Sequence, residues 1–307
     1  MSSQVFLFPG QGSQTVGMLG EWLENPVAKQ TFADASEVLG YDLAALIQNG
    51  PAEDLNQTFV AQPALLATSV ALYRVYLAAG GAKPAFMAGH SLGEYSALVC
   101  AGVLDFKDGI ALVEQRGKFM QAAVPAGTGA MAAIIGLTAV QVVECCEQAA
   151  QGEVVSAVNF NSPIQTVIAG ESAAVARACD VCKEAGAKRV VPLPVSVPSH
   201  CALMKPAAEQ LAQVLETIEF NAPEVPVLNN VDVEAPTDSA AIKAALVRQL
   251  FSPVRWTETV TKLADNGMTE AFEFGAGAVL TGLIKRAEPR LTISAINNAQ
   301  AATDLSA

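Results

Sequence analysis

The chain offers a serine, two histidines and a scatter of glutamines and arginines as its chemical vocabulary. Gly89-His90-Ser91-Leu92-Gly93 fits Gly-x-Ser-x-Gly and lies between a short apolar run and a helical pattern. That arrangement is the form of a nucleophile elbow, a tight strand-to-helix turn that lifts a serine hydroxyl clear of a sheet. Gly89 and Gly93 carry no Cβ to obstruct such a turn. A serine attacks carbonyls only when a base takes its proton. His90 and His200 are the only histidines. His90 is adjacent to Ser91, where neighbouring side chains point apart, so His200, in Val197-Pro198-Ser199-His200, is the candidate base. Glu258, Asp265, Glu270 and Glu273 follow downstream, but none sits in a pattern that marks a third triad member. A backbone carbonyl could fix the histidine tautomer instead.

An oxyanion requires preorganised donors. The amide of Leu92, directly after the nucleophile, is one candidate. The amide of Gln11 is the other, in the glycine-rich loop Pro9-Gly10-Gln11-Gly12-Ser13-Gln14 that ends the first strand. This loop lacks the Lys-Ser/Thr of a phosphate-binding P-loop. Arg116 has two readings, a solvated surface arginine or a guanidinium fork gripping a substrate carboxylate.

Around these residues stand alternating strand and helix patterns. Apolar runs at 5–8 and 85–88 read as buried strands, and helical spacing follows at 92–101 and 106–123. Pro63 is expected in the first turn of a helix that continues through Tyr76. After Pro125-Ala126-Gly127 the order becomes strand (130–135), helix (139–149), strand (154–159), a turn at Asn161-Ser162-Pro163, strand (165–169), helix (172–185) and strand (189–193). The expected fold class is α/β. A hydrolase-like large domain with a parallel-sheet core (1–125 and 198–307) carries an inserted ferredoxin-like βαββαβ small domain (126–197). Strands at 225–228 and 271–274 are candidates to join the main sheet.

Composition narrows the function classes. Of 307 residues, 51% are hydrophobic and 16% charged, ample for a large core, and the net charge of −12 speaks against nucleic-acid binding. The start MSSQVFLFPGQG lacks a basic leader region, and no apolar run is long enough to span a bilayer, so the expectation is a cytoplasmic protein without membrane attachment. The six cysteines are expected to be reduced. Cys179 and Cys182, inside an alanine-rich helical pattern with no second Cys pair and no nearby histidine, read as helix-face thiols; no metal site is expected.

The chain strongly resembles the malonyl-CoA:acyl-carrier-protein transacylases, in the acyltransferase family shared by fatty-acid and polyketide synthesis. The matching segments are FPGQGSQ (8–14), GHSLGE (89–94), QRGK (115–118), NSPIQTVIAG (161–170), VPSH (197–200), QLFSPVRW (249–256) and FGAGAVLTGLIKR (274–286), in the family's order. The resemblance implies a ping-pong reaction. Ser91 would carry the malonyl group as an ester, with His200 as base and then acid. Arg116 would bind the malonyl carboxylate, and Gln11 and Leu92 would supply the oxyanion-hole amides. It also implies that the Gln249 carbonyl orients the histidine, and that Asn159 and Met120 line the pocket. No permanently bound cofactor is implied. Malonyl-CoA is the donor, the phosphopantetheine thiol of acyl carrier protein the acceptor, and a monomer the expected state. Ser199 stands where malonyl-specific polyketide relatives often have Phe; stand-alone malonyl transacylases commonly show a Ser-His pair, so malonyl stays the expected group.

Without the resemblance, a serine hydrolase and a non-catalytic carrier-binding module remain as rival readings. The acidic chain supplies no long-range attraction for an acidic carrier. A local basic patch of Lys183, Lys188, Arg189, Lys285 and Arg286 is the candidate docking surface, with scattered solvated charges as the alternative.

Overall fold

The computed structural model describes residues 3–20, 22–125, 127–195 and 197–306. Ala126, the expected first residue of the insertion, lies outside the described residues. Among the described residues nine strands form two sheets: β1 (Gln4–Phe8), β2 (Phe86–Gly89), β3 (Gly129–Ile135), β4 (Val155–Ser162), β5 (Gln165–Glu171), β6 (Arg189–Pro192), β7 (Val227–Leu228), β8 (Glu270–Phe274) and β9 (Thr292–Ile296). The first sheet is parallel, in the order β7-β2-β1-β8-β9. The second is antiparallel, in the order β4-β5-β3-β6.

The parallel sheet is covered on both faces, which explains why its strands read as continuous apolar runs. Successive side chains alternate faces. Phe6, Phe8, Met87, Val227 and Phe274 join a core with the helices Pro26–Leu39, Thr58–Ala78, Leu92–Cys100 and Phe106–Ala123. Val5, Leu7, Ala88, Leu228 and Ala271 face Trp256, Val260, Leu263 and Ile284 from two helices on the other side. In the antiparallel sheet, Ile134, Ala157 and Ile168 pack against the helices Ala139–Ala150 and Ser172–Glu184, which bury Cys145, Cys146, Cys179 and Cys182 between them. Burial raises Cys146, Cys179 and Cys182 above the ordinary thiol range, in line with helix-face thiols.

Three sequence expectations need correction or extension. Pro63 lies inside the helix Thr58–Ala78, a full turn beyond its start. Seventeen residues of that helix are buried, so packing on nearly every side outweighs the hydrogen bond that proline removes. Asn161 and Ser162 belong to β4, and the turn begins only at Pro163. Both strands at 225–228 and 271–274 join the main sheet, where β9, which the sequence reading did not include, extends the edge beyond β8.

β4 ties the antiparallel sheet to the segment just before the helix Trp256–Asp265. Val254 donates its N–H to the Val158 carbonyl at 2.8 Å, and Phe160 donates to the Val254 carbonyl at 3.0 Å. β4 carries a bulge between Ala157 and Asn159. The extra residue re-aims the side chains beyond it, and Asn159 thereby turns to the cleft.

Candidate active site

Ser91 sits just past the carboxyl end of β2, where open parallel sheets place their ligands. Its φ of 53° and ψ of −108° lie outside the regions a serine normally occupies, and His200 has φ 67°. Such conformations cost roughly 1–3 kcal/mol each and persist only where packing enforces them. The enforcement is visible around the elbow. A Cβ on Gly93 would collide with the Phe8 carbonyl, and one on Gly89 would overlap the Gly93 backbone. Only glycines let β1, the turn and the following helix approach this closely. A Cβ on Gly10 would meet the His90 carbonyl at 2.5 Å, so the 9–14 loop also lies against the elbow.

Ser91 Oγ is 2.8 Å from His200 Nε2. His200 Nδ1 is 2.7 Å from the backbone oxygen of Gln249. A carbonyl only accepts, so Nδ1 carries the proton, Nε2 presents its lone pair, and the serine hydroxyl donates. No carboxylate is needed to hold this tautomer. His200 is 3% exposed. Burial, and then the nearby Arg116 guanidinium, lower its pKa from 6.5 to about 3, so the imidazole is neutral and ready to accept.

Arg116 is only 1% exposed, which removes the surface reading. Its Nη1 donates to Gln62 Oε1 at 2.7 Å and its Nη2 to Gln249 Oε1 at 3.0 Å. Nη2 also lies 3.4 Å from Ser91 Oγ. Its Nε has no hydrogen-bond partner among the described residues. The guanidinium therefore stands beside the nucleophile with donors to spare.

A network beneath the elbow holds these groups. Asn230 Oδ1 accepts from the Ser91 amide at 2.7 Å, and its Nδ2 donates to the Gly89 carbonyl at 2.7 Å. Gln249 Nε2 donates to the Ser91 carbonyl at 3.0 Å and to Glu94 Oε2 at 2.8 Å. Glu94 also accepts from the Asn230 amide at 2.9 Å. Burial raises the Glu94 carboxyl to about 7 against the opposing pull of these hydrogen bonds and of Arg116.

His90 turns away from the dyad. Its Nε2 lies 2.8 Å from Asn161 Oδ1 and its ring packs on Trp256, tying the elbow to β4. Leu92 opens the helix Leu92–Cys100, where a first-turn amide has no helical acceptor behind it.

A cavity of about 100 Å³ collects Gln11, Ser91, Arg116, Met120, Asn159, Ser199 and His200 along its walls. Leu92 and Gln249 are not among its lining residues, though Gln249 hydrogen-bonds Arg116 and His200, which are. Thr58 also lines it, accepting a hydrogen bond from Gln11 Nε2 at 3.3 Å. A larger open groove of about 940 Å³ beside the helix Pro26–Leu39 contains neither the serine nor a histidine.

Gln62, Asn230, Glu94 and Asn161 had no assigned role in the sequence reading. Glu94 and Asn161 fall inside matched segments; Gln62 and Asn230 carry no local signal. Among the described residues, no cluster of His, Cys, Asp or Glu has the makings of a metal site. No described helix is long and apolar enough to cross a membrane.

The acyl transferase domain family matches residues 5–301. The malonyl CoA-acyl carrier protein transacylase of Escherichia coli (strain K12) is 63% identical over 302 residues, covering 98% of each chain. Among solved structures, an acyl carrier protein S-malonyltransferase from Vibrio cholerae is 64% identical, with a TM-score of 0.95 over 97% of both chains. A malonyl-transacylase solved with its type II PKS acyl-carrier protein is 59% identical, with a TM-score of 0.98 over 99% of both.

Proposed function

Because the chain belongs to the acyl transferase domain family, we infer that it transfers the malonyl group of malonyl-CoA to the phosphopantetheine thiol of acyl carrier protein, in fatty-acid or polyketide synthesis. The observation that carries the mechanism is Ser91 Oγ at 2.8 Å from His200 Nε2 and 3.4 Å from Arg116 Nη2. Ser91 attacks the thioester carbonyl while His200 Nε2 takes its proton. The resulting oxyanion is received by the Gln11 and Leu92 amides. Collapse expels the CoA thiolate, which leaves with the proton from His200 and with malonyl esterified to Ser91. The carrier's thiol then gives its proton to His200 and attacks the ester; collapse breaks the Ser91 Oγ–acyl bond, Oγ takes the proton back from His200, and the acyl group leaves as the carrier's thioester. The Gln249 carbonyl keeps the imidazole in its working tautomer throughout. Arg116 binds the distal malonyl carboxylate, and Met120, Asn159 and Ser199 shape the pocket around it.

The antiparallel sheet order β4-β5-β3-β6, with both connecting helices on one face, supports reading 126–197 as a ferredoxin-like insertion into a hydrolase-like domain of 1–125 and 198–307. The cleft between the two holds the cavity. At one end of that sheet Ile135 pairs with both Gln165 and Arg189, and Arg286 reaches Gln165 Oε1 at 3.4 Å. This brings Lys188, Arg189 and Arg286, all exposed, to one surface that also shows Ile164. With Lys183 and Lys285 nearby in sequence, that surface is our candidate for carrier docking. We place the protein in the cytoplasm, as a monomer.

Intact mass after mixing with malonyl-CoA tests the assignment. A malonyl adduct that disappears in Ser91→Ala is the expected result. CoA release without an adduct would identify a hydrolase, and no reaction would identify a non-catalytic module.

A further inference from the structure

We propose that Gln62 is a specificity-determining residue: its neutral amide oxygen, with that of Gln249, anchors the buried Arg116 without neutralising it, and so reserves the guanidinium for the carboxylate of the acyl group. This rests on the reading that Arg116 binds that carboxylate.

A buried arginine is ordinarily paired with an acid. Arg116 makes no direct ion pair among the described residues. Its two firm hydrogen bonds, at 2.7 and 3.0 Å, both go to carboxamide oxygens. The nearest acid in the network, Glu94, is held one residue away. Gln249 stands between them, accepting from Arg116 through Oε1 and donating to Glu94 through Nε2 at 2.8 Å. Gln62 has the corresponding position on the opposite side. It projects from the interior of the helix Thr58–Ala78 and is 0% exposed. Its Nε2 faces Met120 Sδ at 3.5 Å, a weak acceptor, which leaves Oε1 to face the guanidinium.

The two amides thus satisfy part of the cation's hydrogen bonding while contributing no charge. Arg116 Nε has no hydrogen-bond partner among the described residues, the guanidinium lies over the Tyr95 ring at 5.2 Å, and Nη2 stands 3.4 Å from Ser91 Oγ. A carboxylic acid of the same length at position 62 would sit at ion-pairing distance and occupy the charge that the substrate needs. Specificity in this account comes as much from excluding an internal acid as from providing a cation.

The test measures single-turnover acylation of Ser91 with malonyl-CoA and with acetyl-CoA, by intact mass, in wild type and in the Arg116→Ala, Gln62→Glu and Gln62→Leu variants, with circular dichroism to register folding. Gln62→Glu is expected to cut the malonyl-to-acetyl rate ratio by at least about tenfold. Gln62→Leu, which removes an anchor and adds no charge, is expected to slow malonyl acylation several-fold more than acetyl acylation. An unchanged ratio in folded Gln62→Glu overturns the proposal. An equal loss for both acyl groups in Gln62→Leu also overturns it, since a purely structural role would act in that way, and this second variant decides the matter should Gln62→Glu not fold. A ratio that survives Arg116→Ala refutes the underlying reading of Arg116 instead. A ratio lost in Arg116→Ala but kept in Gln62→Glu refutes the role of Gln62 alone.

Discussion

The neutral state of His200 makes a prediction about pH that separates this site from an exposed histidine base. At pH 5 a histidine with the ordinary pKa is ~97% protonated and useless as a base. His200, lowered to about 3 by burial and by the Arg116 charge, would be only about 1% protonated at that pH. Single-turnover acylation of Ser91 is therefore expected to retain its acid-side activity at pH 5, where an unshifted base would have lost some thirtyfold, roughly 1.5 decades. Rapid-quench mass measurement of the malonyl adduct between pH 5 and 8 reads this directly. Glu94, raised to about 7, is a buried group of the same network that titrates in that window, so Glu94→Gln is measured alongside. An inflection near 6.5 in both proteins would refute the argument. Stability supplies a second readout with a defined sign. The unfolded chain binds a proton on His200 below about 6.5, whereas the folded chain does so only near 3. Wild type therefore loses stability relative to His200→Asn as pH falls from 6.5, and the difference grows toward the acid side. Equal stability differences at pH 5 and 7.5 would mean that the imidazole is not held neutral by the fold.

Arg116→Ala removes a charge-assisted fork in a water-poor cavity, worth ~2–4 kcal/mol, so malonyl acylation should fall roughly 30- to 800-fold with acetyl acylation spared; competition between the two CoA esters measures it. Gly93→Ala drives a methyl group onto the Phe8 carbonyl and should cost about 1–3 kcal/mol in urea unfolding with a loss of acylation, because the elbow must open to admit it. Glu273, which is 0% exposed, accepts hydrogen bonds from Leu280 N, Thr281 N and Thr281 Oγ at the start of the helix Val279–Ala287. Glu273→Gln should lower unfolding stability by about 1–3 kcal/mol while leaving the selectivity between acyl groups intact.

What the sequence made readable was local chemistry or scarcity. Ser91 stood out because its turn demands glycines on both sides, and His200 because a serine needs a base and the chain has only two histidines. Pro63 misled because helix propensity is a local preference, and in a helix buried on almost all sides the neighbours decide. The edge strand β9, Thr-Ile-Ser-Ala-Ile, has a short alternating pattern, but its identity depends on pairing with β8. Sequence alone does not state that pairing. The bulge that turns Asn159 to the cleft is likewise a property of two paired strands.

Three of the side chains that went unassigned share one physical character. Gln62, Asn230 and the side chain of Gln249 are uncharged amides whose value lies wholly in where their two ends point. Gln249 is 158 residues from Ser91 and 133 from Arg116 in sequence, yet it hydrogen-bonds both and orients His200 through its backbone. A carboxylate in its place would meet Glu94 as a like charge and would compete for Arg116. An apolar residue would strand the Arg116 and Glu94 hydrogen bonds in a buried site. Only a group that donates at one end, accepts at the other and carries no charge can stand between a buried cation and a buried acid while leaving the cation available. The electrostatics of the site thus depend on spacers as much as on the ionisable residues. Spacers announce themselves only once the fold has brought Arg116, Ser91 and Glu94 within reach of the same side chain.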